Sequence, residues 1–264
     1  MTLWVGTSGW QYKDWPGHLY PRDPKLPQRL WLEHYADRYR TVEVNNAFYR
    51  LPERSTFAAW AARTPTDFVV TVKASRYLTH IKRLREPAEP VARLMERASA
   101  LGGKLGPVLL QLPPKMAVDV ASLEAALTAF PAGVRVAVEP RDPSWWVDDV
   151  REVLERHNAA YCWADRATEV VGPLWRTADW GYHRFHHGIS WAQPDYTDDT
   201  LALWVDRIAE AYPRDADVFV YFNNDPTGAA IRDSIRFADI AGALGWDVTR
   251  VPRDVPDRRP TPTP

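Results

Sequence analysis

The chain has only one cysteine, Cys162, among its 264 residues. A single cysteine excludes an internal disulfide framework and a metal site built from several thiolates, and it fits a reducing compartment. An excess of either charge is also missing, because 33 Lys and Arg side chains stand against 34 Asp and Glu, for a net charge of -1. This balance argues against a strongly electrostatic nucleic-acid binder, although a local basic patch is compatible with a neutral total.

Long hydrophobic runs and cofactor signatures are absent too. No apolar stretch approaches the roughly 20 residues of a membrane-spanning helix, and the first residues lack the features of a secretory signal. The segment Gly6-Thr7-Ser8-Gly9 lacks the Lys-Ser/Thr of a phosphate-binding loop, and no dinucleotide fingerprint is visible. We therefore expect a cytoplasmic protein with no membrane partner and no nucleotide cofactor; any other cofactor is unknown.

Short β-branched runs alternate along the chain with longer amphipathic stretches. The predicted strands are 3–8, 41–45, 67–73, 107–111, 135–139, 160–165, 181–186 and 217–223. The predicted helices are 28–38, 55–62, 88–101, 122–130, 146–157, 198–212 and 229–244. Eight strands alternating with helices are typical of parallel pairing through helical crossovers.

This alternation over about 250 residues predicts an α/β fold of the (β/α)8 TIM-barrel type in a single domain. A doubly wound open sheet is the alternative. No linker or internal repeat divides the chain. We place the barrel at residues 1–251 and a flexible, Pro-rich tail at residues 252–264.

The alternation of side chains within each strand predicts which residues face the barrel axis. If Val42 and Val44 face the helices, Glu43 and Asn45 face the axis, at the end of the strand where barrel active sites form. Applied to the other strands, the same alternation predicts a polar mouth made of Glu43, Lys73, Gln111, Glu139, Asp165, Arg184, His186 and Asn223. The alternative is a structural network, in which Glu43 and Glu139 neutralise Lys73 and Arg184.

Several blocks of sequence together match one family pattern. They are Gly6-Thr7-Ser8-Gly9-Trp10, Val42-Glu43-Val44-Asn45 with Phe48-Tyr49-Arg50-Leu51-Pro52, Lys104-Leu105-Gly106-Pro107 with Gln111-Leu112-Pro113-Pro114, Val138-Glu139-Pro140-Arg141 with Pro143-Ser144-Trp145, Arg184-Phe185-His186, and Tyr221-Phe222-Asn223-Asn224-Asp225. Through these blocks the chain resembles the DUF 72 (YecE-like) family over nearly everything before the tail. The resemblance implies a TIM-type barrel and no established activity.

The chain departs from the family pattern at two places. Asn46-Ala47 stands where the family usually has Ser-Thr, and Pro140-Arg141-Asp142 stands where it usually has Phe-Arg-His. The second change replaces a histidine by a carboxylate, so the resemblance gives Asp142 no role as a base or ligand.

Two kinds of chemistry fit the carboxylates at the predicted mouth. Glu43 and Glu139 can form an acid/base pair, assisted by Asp165 or His186, if their environments separate their pKa values. The same four side chains can instead hold a divalent metal. The sequence does not favour the metal, because histidines are few at these strand ends and no paired-histidine spacing occurs.

Basic and aromatic residues near the predicted mouth suggest further hypotheses. Arg50, Lys73, Arg76, Arg141 and Arg184 would converge there and suit a phosphate or carboxylate. The loops carry Trp10, Tyr12, Trp15, Tyr20, Trp145, Trp146 and Trp191. These rings can stack on sugars or bases, or they can simply pack the loops onto the barrel.

The function that these observations favour is a hydrolase or lyase acting on an anionic substrate, either phosphorylated or sugar-containing, at the mouth of the barrel. The catalytic candidates are Glu43, Glu139, Asp165 and His186, with no metal ligand assigned. The substrate-binding candidates are Asn45, Tyr49, Arg50, Lys73, Gln111, Arg141, Arg184, Asn223 and Asn224. The alternatives are a nucleic-acid-processing or nucleic-acid-binding protein and a noncatalytic ligand-binding barrel. The sequence does not determine the oligomeric state.

Overall fold

The computed structural model describes residues 2–166, 169–190 and 192–253. The strands are β1 (Leu3–Thr7), β2 (Thr41–Val44), β3 (Val69–Lys73), β4 (Leu105–Gln111), β5 (Val136–Glu139), β6 (Ala160–Tyr161), β7 (Trp163–Arg166), β8 (Glu169–Val171), β9 (Gly181–Phe185) and β10 (Val218–Phe222). The α-helices are α1 (Trp31–Arg38), α2 (Asn46–Tyr49), α3 (Arg54–Ala62), α4 (Ala88–Ala98), α5 (Val120–Thr128), α6 (Asp148–Arg156), α7 (Asp198–Ala211) and α8 (Ala229–Ala243).

The strands form two five-stranded sheets. The first sheet has the order β1-β10-β9-β7-β8 and the second has the order β2-β3-β4-β5-β6. All pairs are parallel except β7 with β8, which is antiparallel. The predicted α/β fold with parallel pairing is therefore confirmed.

The segment from Ala160 to Arg166 takes part in both sheets. Its first half, β6, pairs with β5 of the second sheet, and its second half, β7, pairs with β9 of the first. Between the two halves, the amide of Cys162 donates to the carbonyl of Val138 at 2.8 Å. The single strand predicted at 160–165 is thus two short strands that connect the sheets.

The strands β1 and β2 approach each other where the two sheets meet a second time. The hydroxyl of Tyr35, from α1, accepts from the amide of Thr7 at 3.1 Å and donates to the carbonyl of Thr41 at 3.1 Å. Gly6 has no room for a side chain, because a Cβ there would lie 2.5 Å from the Thr41 carbonyl oxygen.

Buried side chains form an outer and an inner cluster. The outer cluster joins the strands to the surrounding helices and runs from Leu3 to Val251. The inner cluster consists of Leu109, Ala137, Ala160, Cys162, Ala178, Trp180, Tyr182, Phe219 and Tyr221. Tyr221 crosses between the sheets, since its hydroxyl lies 2.7 Å from the hydroxyls of both Thr41 and Thr71. The faces of the two sheets that carry these residues therefore face each other.

Several short elements, including α2 and β8, were not predicted, and the tail is only partly described. The single turn α2 and the hairpin strand β8 are too short for a periodic signal to reveal them. Arg253 is paired with Asp239 of α8, whereas residues 254–264 lie outside the described residues and the tail stays a prediction. In the described ranges no helix is both long and apolar enough to cross a membrane.

Candidate functional site

A cavity of about 540 Å³ opens at the carboxyl ends of the parallel strands. Its lining comes from the strand ends and the loops that follow them: Ser8, Gly9, Trp10, Gln11, Tyr12, Val44, Asn45, Asn46, Phe48, Tyr49, Lys73, His80, Gln111, Arg141, Arg184 and Asn223. Most of the parallel strands end at a polar residue or one residue before it, such as Gln111 of β4 and Glu139 of β5. Parallel strands place those residues at one edge.

Arg184 of β9 is buried at the base of this cavity between two glutamates. Its Nη1 donates to Glu139 Oε2 at 2.6 Å, and its Nη2 donates to Glu43 Oε1 at 2.8 Å. The hydroxyl of Tyr182 donates to the other oxygen of Glu43 at 2.5 Å. The guanidinium therefore links the first sheet to β2 and β5 of the second.

Glu139 accepts from further donors. Arg141 approaches Oε1 through Nε at 3.1 Å and through Nη2 at 3.0 Å. His186 Nε2 lies 3.0 Å from the same oxygen, and Asn223 Nδ2 lies 3.3 Å from His186 Nδ1. We call Glu43, Glu139, Arg141, Tyr182, Arg184 and His186 the Arg184 network.

Burial and charge act against each other in this network. Burial alone would raise the pKa of Glu139, but the charges of Arg184 and Arg141 hold it well below its ordinary value. Burial lowers the pKa of His186 to about 4, against the opposing pull of Glu139. At neutral pH Glu139 is therefore ionised and His186 is neutral, which agrees with an imidazole that donates through Nε2 and accepts through Nδ1.

Lys73, the last residue of β3, faces the cavity from another side. Its side chain is 9% exposed, and Nζ lies 4.4 Å from the centre of the Phe48 ring. Among the residues that the structure describes, Nζ has no hydrogen-bond or ion-pair partner. Burial and then the charge of Arg184 lower the pKa of Lys73 to about 8, although Glu43 and Glu139 pull the other way.

Three buried polar atoms at the cavity have no partner within the described part of the chain. They are Ser8 Oγ, Asn45 Oδ1 and Arg184 Nε. A buried polar atom without a hydrogen bond is costly, so water or a bound molecule is the expected partner. The residues that carry these atoms all line the cavity.

The structure brings most of the predicted site residues together. Glu43, Glu139, His186 and Arg184 meet in one network, and Asn45, Tyr49, Lys73, Gln111, Arg141 and Asn223 line the cavity above it. Arg50 and Arg76 are not among the lining residues and are exposed. These two arginines, which were predicted to converge on the cavity, therefore do not form part of its lining.

The predicted inward orientation of Asp165 is wrong. Its carboxylate is buried on the helix side of β7, where Trp204 Nε1 of α7 donates at 3.0 Å and the Tyr196 hydroxyl donates at 2.5 Å. Cys162, rather than Trp163, belongs to the inner cluster. The prediction assumed that a polar strand end points to the axis, but here donors on the helix layer satisfy the carboxylate.

Asn224 was predicted to bind substrate, but it does not lie at the cavity. It is fully buried, and its Nδ2 donates to Asp233 Oδ2 of α8 at 2.6 Å and to the Pro194 carbonyl at 2.9 Å. It therefore connects the end of β10 to α8 and does not line the cavity. Its neighbour Asn223 has the opposite orientation and does line it.

Sequence reasoning missed the contribution of His80. His80 lies in a π-helical turn, Tyr77–Ile81, after β3 and packs edge-on against Phe48, with ring centres 4.9 Å apart. Burial and the charge of Lys73 lower the pKa of His80 to about 4. Only its position just after a strand end could have indicated its role.

The aromatic loop residues mostly pack against the protein. Trp10, Trp15, Tyr20 and Trp145 are buried, and Trp146 is exposed. Trp10 and Tyr12 line the cavity, so part of the aromatic set does belong to the site. Trp191 lies outside the described residues.

Two further sequence hypotheses can be placed on the structure. Within the described ranges no three His, Cys, Asp or Glu side chains are grouped as a metal site. Asp142, where the family pattern has histidine, begins a 3-10 turn, and its side chain accepts from the amide of Ser144 at 3.0 Å.

Comparisons with known proteins agree with the resemblance noted in the sequence. The chain is 24% identical to the UPF0759 protein YunF of Bacillus subtilis (strain 168), over 86% of this chain and 90% of YunF. A DUF72 family protein of Thermotoga maritima MSB8 superposes with a TM-score of 0.78 and 26% identity, covering 92% of this chain and all of that one. SacUVDE shares the fold alone, with a TM-score of 0.58 and 7% identity over 92% of this chain and 99% of its own.

The family profile described as "Protein of unknown function DUF72" matches residues 4–259, nearly the whole chain. The protein belongs to the DUF72 family.

Proposed function

We propose that this protein is an enzyme, a lyase or a hydrolase, that acts on an anionic small molecule bound in the cavity. The observation that carries the proposal is the pair of cations, Lys73 and Arg141, on the wall of a cavity of about 540 Å³. This volume lies in the range of small-molecule sites. Lys73 has no hydrogen-bond or ion-pair partner in the described chain, and Arg141 shares one carboxylate oxygen of Glu139 with His186.

The proposal includes closure of the two sheets into a (β/α)8 barrel. Eight strand positions are available if β6 and β7 count as one and β8 is left outside. The segment Ala160 to Arg166 supports closure on one side because it pairs with both sheets. The Tyr35 hydroxyl, which bridges Thr7 and Thr41, supports it on the other.

The Arg184 network would give the cavity its charge and shape. Glu43 and Glu139 pair with Arg184, and Glu139 also pairs with Arg141. These two carboxylates face three cations once Lys73 is counted, which leaves a net positive charge for a ligand. An ionised Glu139 suits the role of a base or a charge holder better than that of an acid, because its pKa is held low. An acid/base role for Glu43 and Glu139 is part of the proposal.

Binding of defined anions tests this function. Glucose 6-phosphate, inorganic phosphate and pyruvate are titrated calorimetrically against the wild type, Lys73→Met, Arg141→Gln and the matched surface variant Lys25→Met, with glucose as the uncharged probe. We expect at least one anion to bind the wild type and Lys25→Met, and either cavity variant to weaken it by about tenfold or more. Equal affinity in all four proteins, or no binding by any anion, contradicts the proposal. Mass spectrometry of molecules released from the purified protein then identifies the compound for turnover assays.

A second candidate function, nucleic-acid binding, rests on exposed aromatic residues beside the cavity. Tyr49 is 82% exposed and Tyr77 is 45% exposed, and Arg50 and Arg76 neighbour them in the chain. Such a mixture is used by single-strand-binding surfaces. Affinity for a single-stranded oligonucleotide that falls steeply with salt, and falls again in Tyr49→Ala, would favour this function over the first.

A further inference from the structure

Lys73 occupies a position where its amine can react as well as bind. It ends β3, is 9% exposed, and has the face of Phe48 at 4.4 Å on one side and the cavity on the other. No carboxylate in the described residues pairs with Lys73, because Glu43 and Glu139 instead accept hydrogen bonds from Arg184. A desolvated lysine beside other cations is the setting in which an amine becomes a nucleophile.

The charges around Lys73 come from several elements. Arg184 of β9 and Arg141 disfavour its protonation, and Glu43 of β2 and Glu139 of β5 favour it. The neutral His80 lines the same cavity. With a pKa of about 8 instead of 10.5, the neutral fraction of the amine at pH 7 is higher by roughly two orders of magnitude.

The choice of lysine stands out in a chain that is rich in arginine. Only six of the 33 cationic side chains are lysine. An arginine would bind an anion through two parallel hydrogen bonds but would never lose its proton. Lysine at the wall of this cavity therefore provides what arginine cannot, a primary amine.

Building on the proposed anion site, we propose that Lys73 forms a Schiff base with a small aldehyde or ketone that carries a carboxylate or phosphate group. Arg141 would hold the charged group, and the carbonyl carbon would lie next to Nζ. This narrows the proposed function to carbonyl chemistry of the lyase type.

The covalent step balances without a further reactant. Neutral Nζ attacks the carbonyl carbon, a C–N bond forms, and the electron pair of the C=O bond moves to oxygen, which takes up a proton. The nitrogen then loses a proton, which the neutral imidazole of His80 or water can accept. Protonation of the new hydroxyl lets the nitrogen lone pair expel it as water, which leaves a C=N bond whose nitrogen keeps its one remaining proton. The sum is amine, carbonyl and one proton giving iminium and water.

Reductive trapping tests this inference on the intact protein. The wild type is incubated with pyruvate or glyceraldehyde 3-phosphate and sodium cyanoborohydride, and modified peptides are mapped by mass spectrometry. Lactate and glycerol 3-phosphate, which lack the carbonyl, are the matched anions. We expect a reduced adduct on Lys73 that forms at least about tenfold faster than on exposed Lys25, because more of its amine is neutral. Its rate should rise with pH up to a plateau above about 8.

Two variants separate chemistry from binding. Lys73→Arg keeps the charge and should retain lactate or glycerol 3-phosphate binding while losing the adduct, and Lys25→Arg should behave as the wild type. If the matched anions bind but neither carbonyl probe modifies Lys73, the inference is overturned and the proposed anion site stands. If none of the four compounds binds, the proposed function fails as well.

Discussion

At the scale of single residues, the main feature of the site is one arginine that is hydrogen-bonded to two carboxylates. Glu43 and Glu139 each accept from a different nitrogen of Arg184, and all three side chains are almost fully buried. Buried ion pairs of this kind add little net stability over a hydrophobic replacement, but removing one partner is expensive. We therefore expect the network to fix the positions of these side chains, and the loss of one partner to lower the free energy of unfolding measurably.

Glu139→Gln should destabilise the protein by about 3–5 kcal/mol at pH 7, because Arg184 and Arg141 lose a shared negative charge. Urea unfolding followed by circular dichroism measures the difference. Glu152→Gln, on the exposed face of α6, is the matched control and should stay within about 0.5 kcal/mol of the wild type. A loss below about 1 kcal/mol in Glu139→Gln would show that the carboxylate is not needed to hold the arginines.

The same variant has a predicted pH dependence. Because the folded pKa of Glu139 lies below its ordinary value of 4.5, its contribution to stability is complete above that value and is lost as pH falls toward the folded pKa. The difference between the wild type and Glu139→Gln should therefore be constant from pH 7 down to about 5 and shrink in more acidic solution. A difference that grows on acidification would contradict the assigned direction.

At the scale of elements, the approach of β1 to β2 depends on a residue without a side chain. A Cβ at Gly6 would meet the Thr41 carbonyl oxygen at 2.5 Å, and Tyr35 binds the backbone of both strands beside this point. Backbone atoms cannot move aside as a flexible side chain can, so a methyl group would separate the strands.

Gly6→Ala should cost about 1–3 kcal/mol of unfolding free energy, the usual effect of overpacking. Gly103→Ala is the matched control, since nothing lies within 4 Å of a Cβ at that position. Chemical denaturation of both variants provides the measurement. Equal stability of Gly6→Ala and the wild type would mean that β1 and β2 are not in tight contact.

At the same scale, the alternation of side chains predicted the inward-facing residues of some strands correctly and of one strand wrongly. In β2, β3, β5 and β9 the alternation of side chains correctly predicted that Glu43, Lys73, Glu139 and Arg184 share the inner side. In β7 the alternation is equally regular but its phase was misassigned. Asp165 is satisfied by donors from α7 and the preceding loop, and a sequence does not show which helix packs behind a strand.

At the scale of the whole molecule, one continuous outer core joins elements from both sheets. It contains Val5 and Val220 of the first sheet and Val42 and Val138 of the second. The segment Ala160 to Arg166 and the Arg184 network tie the sheets together at two further places. Within the described residues, these contacts join the two sheets and favour unfolding as a single unit.

We therefore expect residues 1–251 to unfold as one cooperative unit. Tryptophan fluorescence, which reports on buried rings such as Trp15 and Trp204, and far-ultraviolet circular dichroism should give the same urea midpoint. A variant truncated after residue 251 should show the same midpoint as the full chain if the remaining residues form a tail. Two separate transitions would indicate more than one domain.

The sequence by itself determined the α/β class, the order of strands and helices, and the shared inner face of most site residues. It could do so because the hydrophobic pattern depends only on residues that are close in the chain, and regular parallel strands follow that pattern. Only the tertiary structure decided that Arg184 binds both Glu43 and Glu139, and that Lys73 lies over Phe48 with no ion-pair partner among the described residues. It also decided that Asp165 and Asn224 turn toward the helices. These features depend on which groups from distant parts of the chain satisfy each buried charge or polar atom, and that pairing has no local signal in the sequence.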